Sequence, residues 1–284
     1  LNTTRPVKTP IGSFEVQLFG GRLDSSGVPR PALPGYTKKP DDWRYISGFA
    51  ATYSPRGLPN LFLGYERTNI AYQSLMQKGI RSYIPLFNGK EREVINEDGS
   101  IDASDSGRDH LIAFTMRWVW PEANAEIYAE YGREDRAGNI RDAVIEPEHS
   151  RAYILGFRKL VPFRGPDEHI QIGVELTQME SSGSKSVRPA GYWYTHSRVK
   201  HGYTHIGQVL GAGIGPGSNL QSIDVSWVKG LKRIGIEAER LVHNNDLMYN
   251  LKALDYRRHW VDLGVTGKFS WDYSRFKGLE EYKR

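Results

Sequence analysis

The stretch His169-Ile170-Gln171-Ile172-Gly173-Val174-Glu175-Leu176-Thr177-Gln178-Met179 decides the fold. Its even positions are Ile170, Ile172, Val174 and Leu176, and its odd positions are Gln171, Gly173, Glu175 and Thr177. Successive side chains of an extended chain point to opposite sides, so this is a strand with one oily and one polar face. The same pattern recurs in both directions along the chain. Between His110 and Trp120, Ile112, Phe114, Met116, Trp118 and Trp120 oppose Thr115 and Arg117. Between Asn124 and Gly132, Ala125, Ile127, Ala129 and Tyr131 oppose Glu126, Tyr128 and Glu130. Ile223, Val225 and Trp227 oppose Asp224 and Ser226, while Ile234, Ile236 and Ala238 oppose Gly235, Glu237 and Glu239. Val261, Leu263, Val265, Phe269 and Trp271 oppose Asp262, Thr266 and Lys268.

Weaker alternation covers Ser13–Phe19, Arg44–Tyr53, Asn60–Arg67 and Arg151–Phe157. A 3.6-residue period is plausible only over Ile70–Ile80, where Asn69 would cap a short helix. The expected class is therefore all-β. The connections alternate in character. Lys229-Gly230-Leu231-Lys232 and Trp120-Pro121-Glu122-Ala123 are tight turns, whereas Asp24–Asp42, Asn88–Asp109 and Met179–Trp193 are long, polar and rich in Pro, Gly or Ser.

Short turns at one end and long loops at the other are the signature of an antiparallel outer-membrane barrel. A soluble β-sandwich also alternates. Three features favour the barrel. Charge sits mid-strand on the polar face (Glu126, Glu130, Glu175, Glu237, Glu239, Asp262, Lys268), as a wet or plugged lumen allows. The oily face tends to end in aromatics (Trp118, Trp120, Tyr131, Trp271), like an interfacial girdle. About ten to twelve strand segments exceed the usual sandwich count.

Composition narrows the chemistry. The chain has 284 residues and no cysteine, which excludes a disulfide scaffold, Cys-ligated zinc and a thiol nucleophile. Its 38 Lys+Arg against 33 Asp+Glu give a formal charge of +5, with both signs interspersed and no like-charge run of the kind that binds nucleic acid, so a nucleic-acid partner is not expected. The longest segment without Asp, Glu, Lys or Arg, Gly202 to Ile223, holds six glycines and Pro216 and would not span a bilayer as a helix. The mean hydropathy of -0.54 does not argue against a barrel, in which only alternate residues face lipid. The chain opens at Leu1 without a basic and apolar leader, so a removed signal and further N-terminal strands are expected, with the 284 residues forming one barrel domain or part of one.

Catalytic motifs are weak throughout. Gly211-Ala212-Gly213-Ile214-Gly215-Pro216-Gly217 lacks the third glycine of a dinucleotide loop and is followed by strand alternation rather than a helix. His201 and His205 are four apart, but Gly202-Tyr203-Thr204 between them carries no Glu, so the zinc-protease pattern fails. The carboxylate pairs Glu126/Glu130 and Glu237/Glu239 suit a lumen lining better than a glycosidase. No G-x-S-x-G occurs. No catalytic residue, metal site or cofactor is expected.

The densest polar-aromatic cluster runs from Tyr192 to His205. Tyr192, Trp193 and Tyr194 offer flat faces for sugar rings, and His196, Arg198, His201 and His205 offer hydrogen-bond donors. Arg198 and Lys200 add attraction for acidic sugars. Girdle packing and ordinary loop structure would use the same residues.

Here the sequence resembles the capsule assembly protein Wzi family. The resemblance is carried by Gly202-Tyr203-Thr204-His205-Ile206-Gly207-Gln208-Val209-Leu210-Gly211, Ile214-Gly215-Pro216-Gly217-Ser218-Asn219 and Glu239-Arg240-Leu241-Val242-His243-Asn244-Asn245-Asp246. Shorter pieces agree: Thr9-Pro10-Ile11-Gly12, Gly20-Gly21-Arg22-Leu23, Asp42-Trp43-Arg44-Tyr45 and Glu130-Tyr131-Gly132-Arg133. It implies an outer-membrane barrel of a Gram-negative bacterium, plugged on the periplasmic side, that binds capsular or other acidic polysaccharide, lies in outer-membrane lipid and catalyses nothing. The alternatives are a porin or accessory barrel of an export complex, for which lumen charge is the relevant feature, and a glycan- or lipid A-modifying enzyme.

Overall fold

The structure is a computed structural model, and it describes residues 1–28, 42–76, 108–134, 144–181, 192–196, 199–251 and 259–271. Its framework is one antiparallel sheet of eleven strands. In chain order the strands are β1 (Val7–Thr9), β2 (Gly12–Leu23), β3 (Arg44–Pro55), β4 (Leu61–Tyr72), β5 (Arg108–Trp120), β6 (Ala125–Glu134), β7 (Arg151–Pro162) and β8 (Glu168–Gln178), then β9 (Thr204–His205), β10 (Gln208–Val209), β11 (Asn219–Lys229), β12 (Lys232–His243) and β13 (Trp260–Ser270). Neighbours in the sheet follow chain order, with β8 beside β11 and the small β9–β10 hairpin standing apart. Among the described residues the sheet is open, with β1 and β13 at its edges. It is nearly all-β, as the alternation implies.

Pairing register sorts the side chains into two faces. Val174 lies opposite Ile223 and Phe157, and Ile223 lies opposite Ala238, which faces Val265. That row is apolar throughout. The adjacent polar row runs Glu126, Arg158, Gly173, Asp224, Glu237. On the apolar face Leu263 and Val265 are 80% and 78% exposed, far beyond what a soluble domain tolerates in such numbers beside Ile236, Phe114 and Phe269. Hence, among the described residues, most of the oily side is left uncovered, whereas the polar side is packed against.

The core sits on the polar side, toward the long-loop end. Residues 192–196 and 199–214 of the β8–β11 connection fold back over the sheet there. Leu111, Ala152 and Met179 bury against Trp193 and Tyr194, with Tyr203, Val209, Ala212 and Ile214 packed around them. Leu23, Ile46 and Ile70 close over Val199. Gly132 makes room for this, because a Cβ there would lie 2.7 Å from Cη2 of Trp193. Polar ties add direction. Arg44, only 2% exposed, donates to the carbonyls of Gly202 (2.5 Å), Thr204 (2.9 Å) and Asp24 (3.2 Å). The Lys200 amide donates to the Tyr72 hydroxyl at 2.6 Å.

Two local assignments differ from the sequence pattern. Ile70, Ala71 and Tyr72 continue β4 rather than starting a helix; only Gln73–Leu75 forms a single 3₁₀ turn, and residues 77–80 lie outside the described residues. Tertiary pairing overrides the weak period: Ile70 pairs between Ile46 and Asp109 and is fully buried. A short helix, α1 (Asn245–Leu251), escapes notice because two turns are too few for a period, although Asn244 accepts from the Leu247 amide as a cap would.

The Arg44 clamp should be the weak point of this arrangement. Replacing it by Met leaves three carbonyls without a charged donor and should cost about 2–4 kcal/mol. Limited proteolysis should then cut within 192–214 while the far-ultraviolet β signal is kept. Protease resistance equal to that of the unaltered protein would show that the clamp is dispensable.

Candidate functional site

Segment 192–205 is held by its backbone as much as by its side chains. Tyr194 and His201 both take left-handed conformations (φ 62° and 63°), and Gly202 follows at φ 50°. A Cβ on Gly202 would sit 2.1 Å from the Tyr194 carbonyl, so only glycine fits. The Tyr203 amide donates back to that same carbonyl at 3.0 Å, pinching the segment into a closed loop. The β9–β10 hairpin then turns through Ile206 and Gly207, both at positive φ, as a two-residue hairpin requires.

Within this loop the seven candidate residues divide. Trp193 and Tyr194 are 5% and 7% exposed and face the sheet. Tyr194 stacks on Tyr203 with ring centroids 5.7 Å apart, meets Trp193 edge-on, and accepts a hydrogen bond from the Ala212 amide. Burial pushes its phenol up to about 12, against the pull of the Ala212 N–H and with Glu130, Tyr203 and Glu134 adding to the rise. Its contribution to stability is thus complete below the ordinary tyrosine range and fades as pH climbs through 10 toward 12. Tyr192 is 37% exposed and offers an accessible ring. His196 accepts from the Val199 amide through Nδ1 at 3.0 Å, and His205 accepts from the Asp24 amide through Nδ1 at 3.1 Å. His201 is half-buried beside them, and Arg198 lies outside the described residues. Alternation in an extended chain would put Tyr192 and Tyr194 on one side; the turn separates them instead. Among the described residues no cluster of three His, Asp or Glu side chains is suited to hold a metal ion.

Arg44, Asp24 and Tyr72 position this loop, and none was a candidate by composition. Arg44 does stand in Asp42-Trp43-Arg44-Tyr45, one of the short stretches that carry the family resemblance. A single Arg in a weakly alternating strand is the available signal. A second anchor lies at α1, where Asp246 accepts from the Ser181 amide (3.0 Å) and hydroxyl (2.9 Å). Burial raises its carboxyl, and the Ser181 donors draw it back.

Below the loop the polar face is a set of closed charge networks. Asp224 accepts from Arg233 (2.8 Å) and Lys268 (2.9 Å), and Lys268 also reaches Glu237 (2.7 Å). Glu126 pairs with Arg117 (2.6 Å) and Arg158 (3.4 Å), and the Tyr128 hydroxyl donates to Glu175 at 2.6 Å. Tyr128, Arg158, Glu175, Asp224, Arg233, Glu237 and Lys268 line a polar cleft of about 450 Å³. Opposite charges neutralise one another here, so the cleft has the character of a wet lining rather than of an acid–base pair poised for catalysis.

No protein-family model and no curated protein matches the chain. A solved structure does: the chain is similar to Wzi of Escherichia coli, described as an outer membrane protein involved in group 1 capsule assembly and a carbohydrate binding β-barrel. The alignment covers 83% of this chain and 44% of that one, at 18% identity and a TM-score of 0.51. The chain thus spans under half the length of Wzi, and the likeness is one of fold: the open antiparallel sheet corresponds to part of a β-barrel of the outer-membrane type.

Proposed function

We propose that the chain forms part of an outer-membrane β-barrel of a Gram-negative bacterium that binds surface or capsular polysaccharide and helps hold a capsule on the cell, without catalysing a reaction. The observation that supports this best is the sheet's two-sidedness. Among the described residues its oily face is largely uncovered, and its polar face is capped at the long-loop end by residues 192–196 and 199–214, which carry Tyr192 and three histidines. Long loops lie on the extracellular side of such barrels. Down β6 from Arg133 to Ala125 the chain rises roughly 27 Å at about 3.4 Å per residue, close to the apolar band of about 25 Å in these proteins.

Sugar contact belongs to Tyr192 as a stacking face and to His196, Arg198, His201 and His205 as donors, with Trp193 and Tyr194 holding the loop in shape. A stacked ring and a hydrogen bond are each worth on the order of 1 kcal/mol net. Retention of a long polymer therefore depends on repeated weak contacts. Replacing Tyr192, Arg198 and His201 by Ala should lower polysaccharide retention on cells several-fold at unchanged barrel abundance. Unchanged retention would remove the loop from the binding surface.

A second reading, a porin or accessory barrel of an export complex, draws on the charged inner face. The two differ in conductance. With 192–214 packed across the inner face, the full-length protein in a planar bilayer should be nearly silent; steady porin-like steps would favour transport.

A further inference from the structure

The oily face of the sheet carries a row of guanidinium groups at its long-loop end. Arg67, Ile112, Arg133 and Arg151 stand side by side across β4, β5, β6 and β7. The next row toward the turns is Tyr65, Phe114, Tyr131, Tyr153, and the one after it Leu63, Met116, Ala129, Leu155. Rows two residues apart are separated by about 7 Å. The arginines are therefore placed where a bilayer's headgroups follow its aromatic boundary.

Among the described residues, only one of the three has an anionic partner. Arg151 donates to Glu148 at 3.0 Å and lies over the Tyr153 ring. Arg67 and Arg133 are half-buried; Nε of Arg67 and Nε and Nη2 of Arg133 are shut away from solvent and donate to nothing. A desolvated guanidinium without an acceptor is costly, and its planar fork fits a phosphate. Directly below, a groove of about 660 Å³ runs between Leu63, Phe114, Met116, Tyr131, Tyr153 and Leu155, with Ala129 leaving its floor open and Arg151 with its partner Glu148 at its upper end. Cationic rim and apolar groove are joined in one surface.

We propose that Arg67, Arg133 and Arg151 bind the phosphomonoester headgroup of an anionic membrane lipid whose acyl chain lies in the groove below. The proposal rests on the membrane reading above and commits to a lipid, because inorganic phosphate would leave the groove empty. The test is native mass spectrometry of the purified full-length protein in detergent, titrated with lipid A and, separately, with phosphatidylcholine. Lipid A should be retained at least tenfold better than phosphatidylcholine, and inorganic phosphate should not displace it. Arg67→Gln with Arg133→Gln should remove that preference, while Arg164→Gln at a turn should keep it. If the double variant does not fold, Arg133→Lys, which keeps the charge but loses the fork, should reduce the preference several-fold. An unchanged preference in these variants, equal retention of both lipids, or displacement by inorganic phosphate overturns the proposal. Flotation with liposomes separates the two levels: a protein that floats yet shows no preference refutes the lipid site alone, and one that does not float refutes the membrane reading as well.

Discussion

Everything in this molecule depends on the antiparallel register of its long strands. Side chains alternate with a period of two, so a slip of one residue between β8 and β11 would carry Asp224 to the oily face and Ile223 into the charge networks. The register is therefore enforced from both sides. Burying Asp224, Glu237 or Glu126 away from Arg233, Lys268 and Arg158 would strand charge, and turning Val174, Ile223 and Val265 inward would remove the apolar belt. Tight turns such as Gly230-Leu231 fix the same alignment locally.

The inner loop depends on that register in turn. Gly132 opens a seat for Trp193 only because it faces the same side as Glu130 and Leu111, and Arg44 reaches Gly202 and Thr204 only because β3 points it inward. The loop then exposes Tyr192 at the rim and keeps Trp193 and Tyr194 beneath it. In the proposed function, a rigid platform of this kind lowers the ordering cost of each weak sugar contact, which matters when single contacts are near 1 kcal/mol. The same clamp closes the inner face at the long-loop end. Binding and silence to ions thus have a common structural source in the proposed function.

The framework was legible because period-two alternation is a long-range pattern repeated many times. Segments such as His169–Met179 and Ile234–Glu239 give strand, face and partner type from residue identity alone. Short elements were not legible. The Ile70–Ile80 stretch has helical spacing, yet Ile70 is claimed by Ile46 and Val199 across the fold, a contact between residues far apart in sequence. Aromatic density also misleads about exposure: Tyr192, Trp193 and Tyr194 look alike in sequence, and the left-handed turn at Tyr194 sends only Tyr192 outward. Arg44 is not legible as an anchor, because one buried Arg in a strand carries its meaning in the carbonyls it reaches.

The central claim is that the two faces of the sheet meet different media. The absence of cysteine gives a clean background for testing it. Single cysteines at Ser222, Ile223, Asp224, Val225 and Ser226, in the full-length protein reconstituted into lipid vesicles, would be challenged with a small membrane-impermeant thiol reagent and with a lipid-soluble one. Positions 223 and 225 should react only with the lipid-soluble reagent, and 222, 224 and 226 should prefer the aqueous one. Equal aqueous labelling along the whole strand would contradict a sheet with one face in lipid.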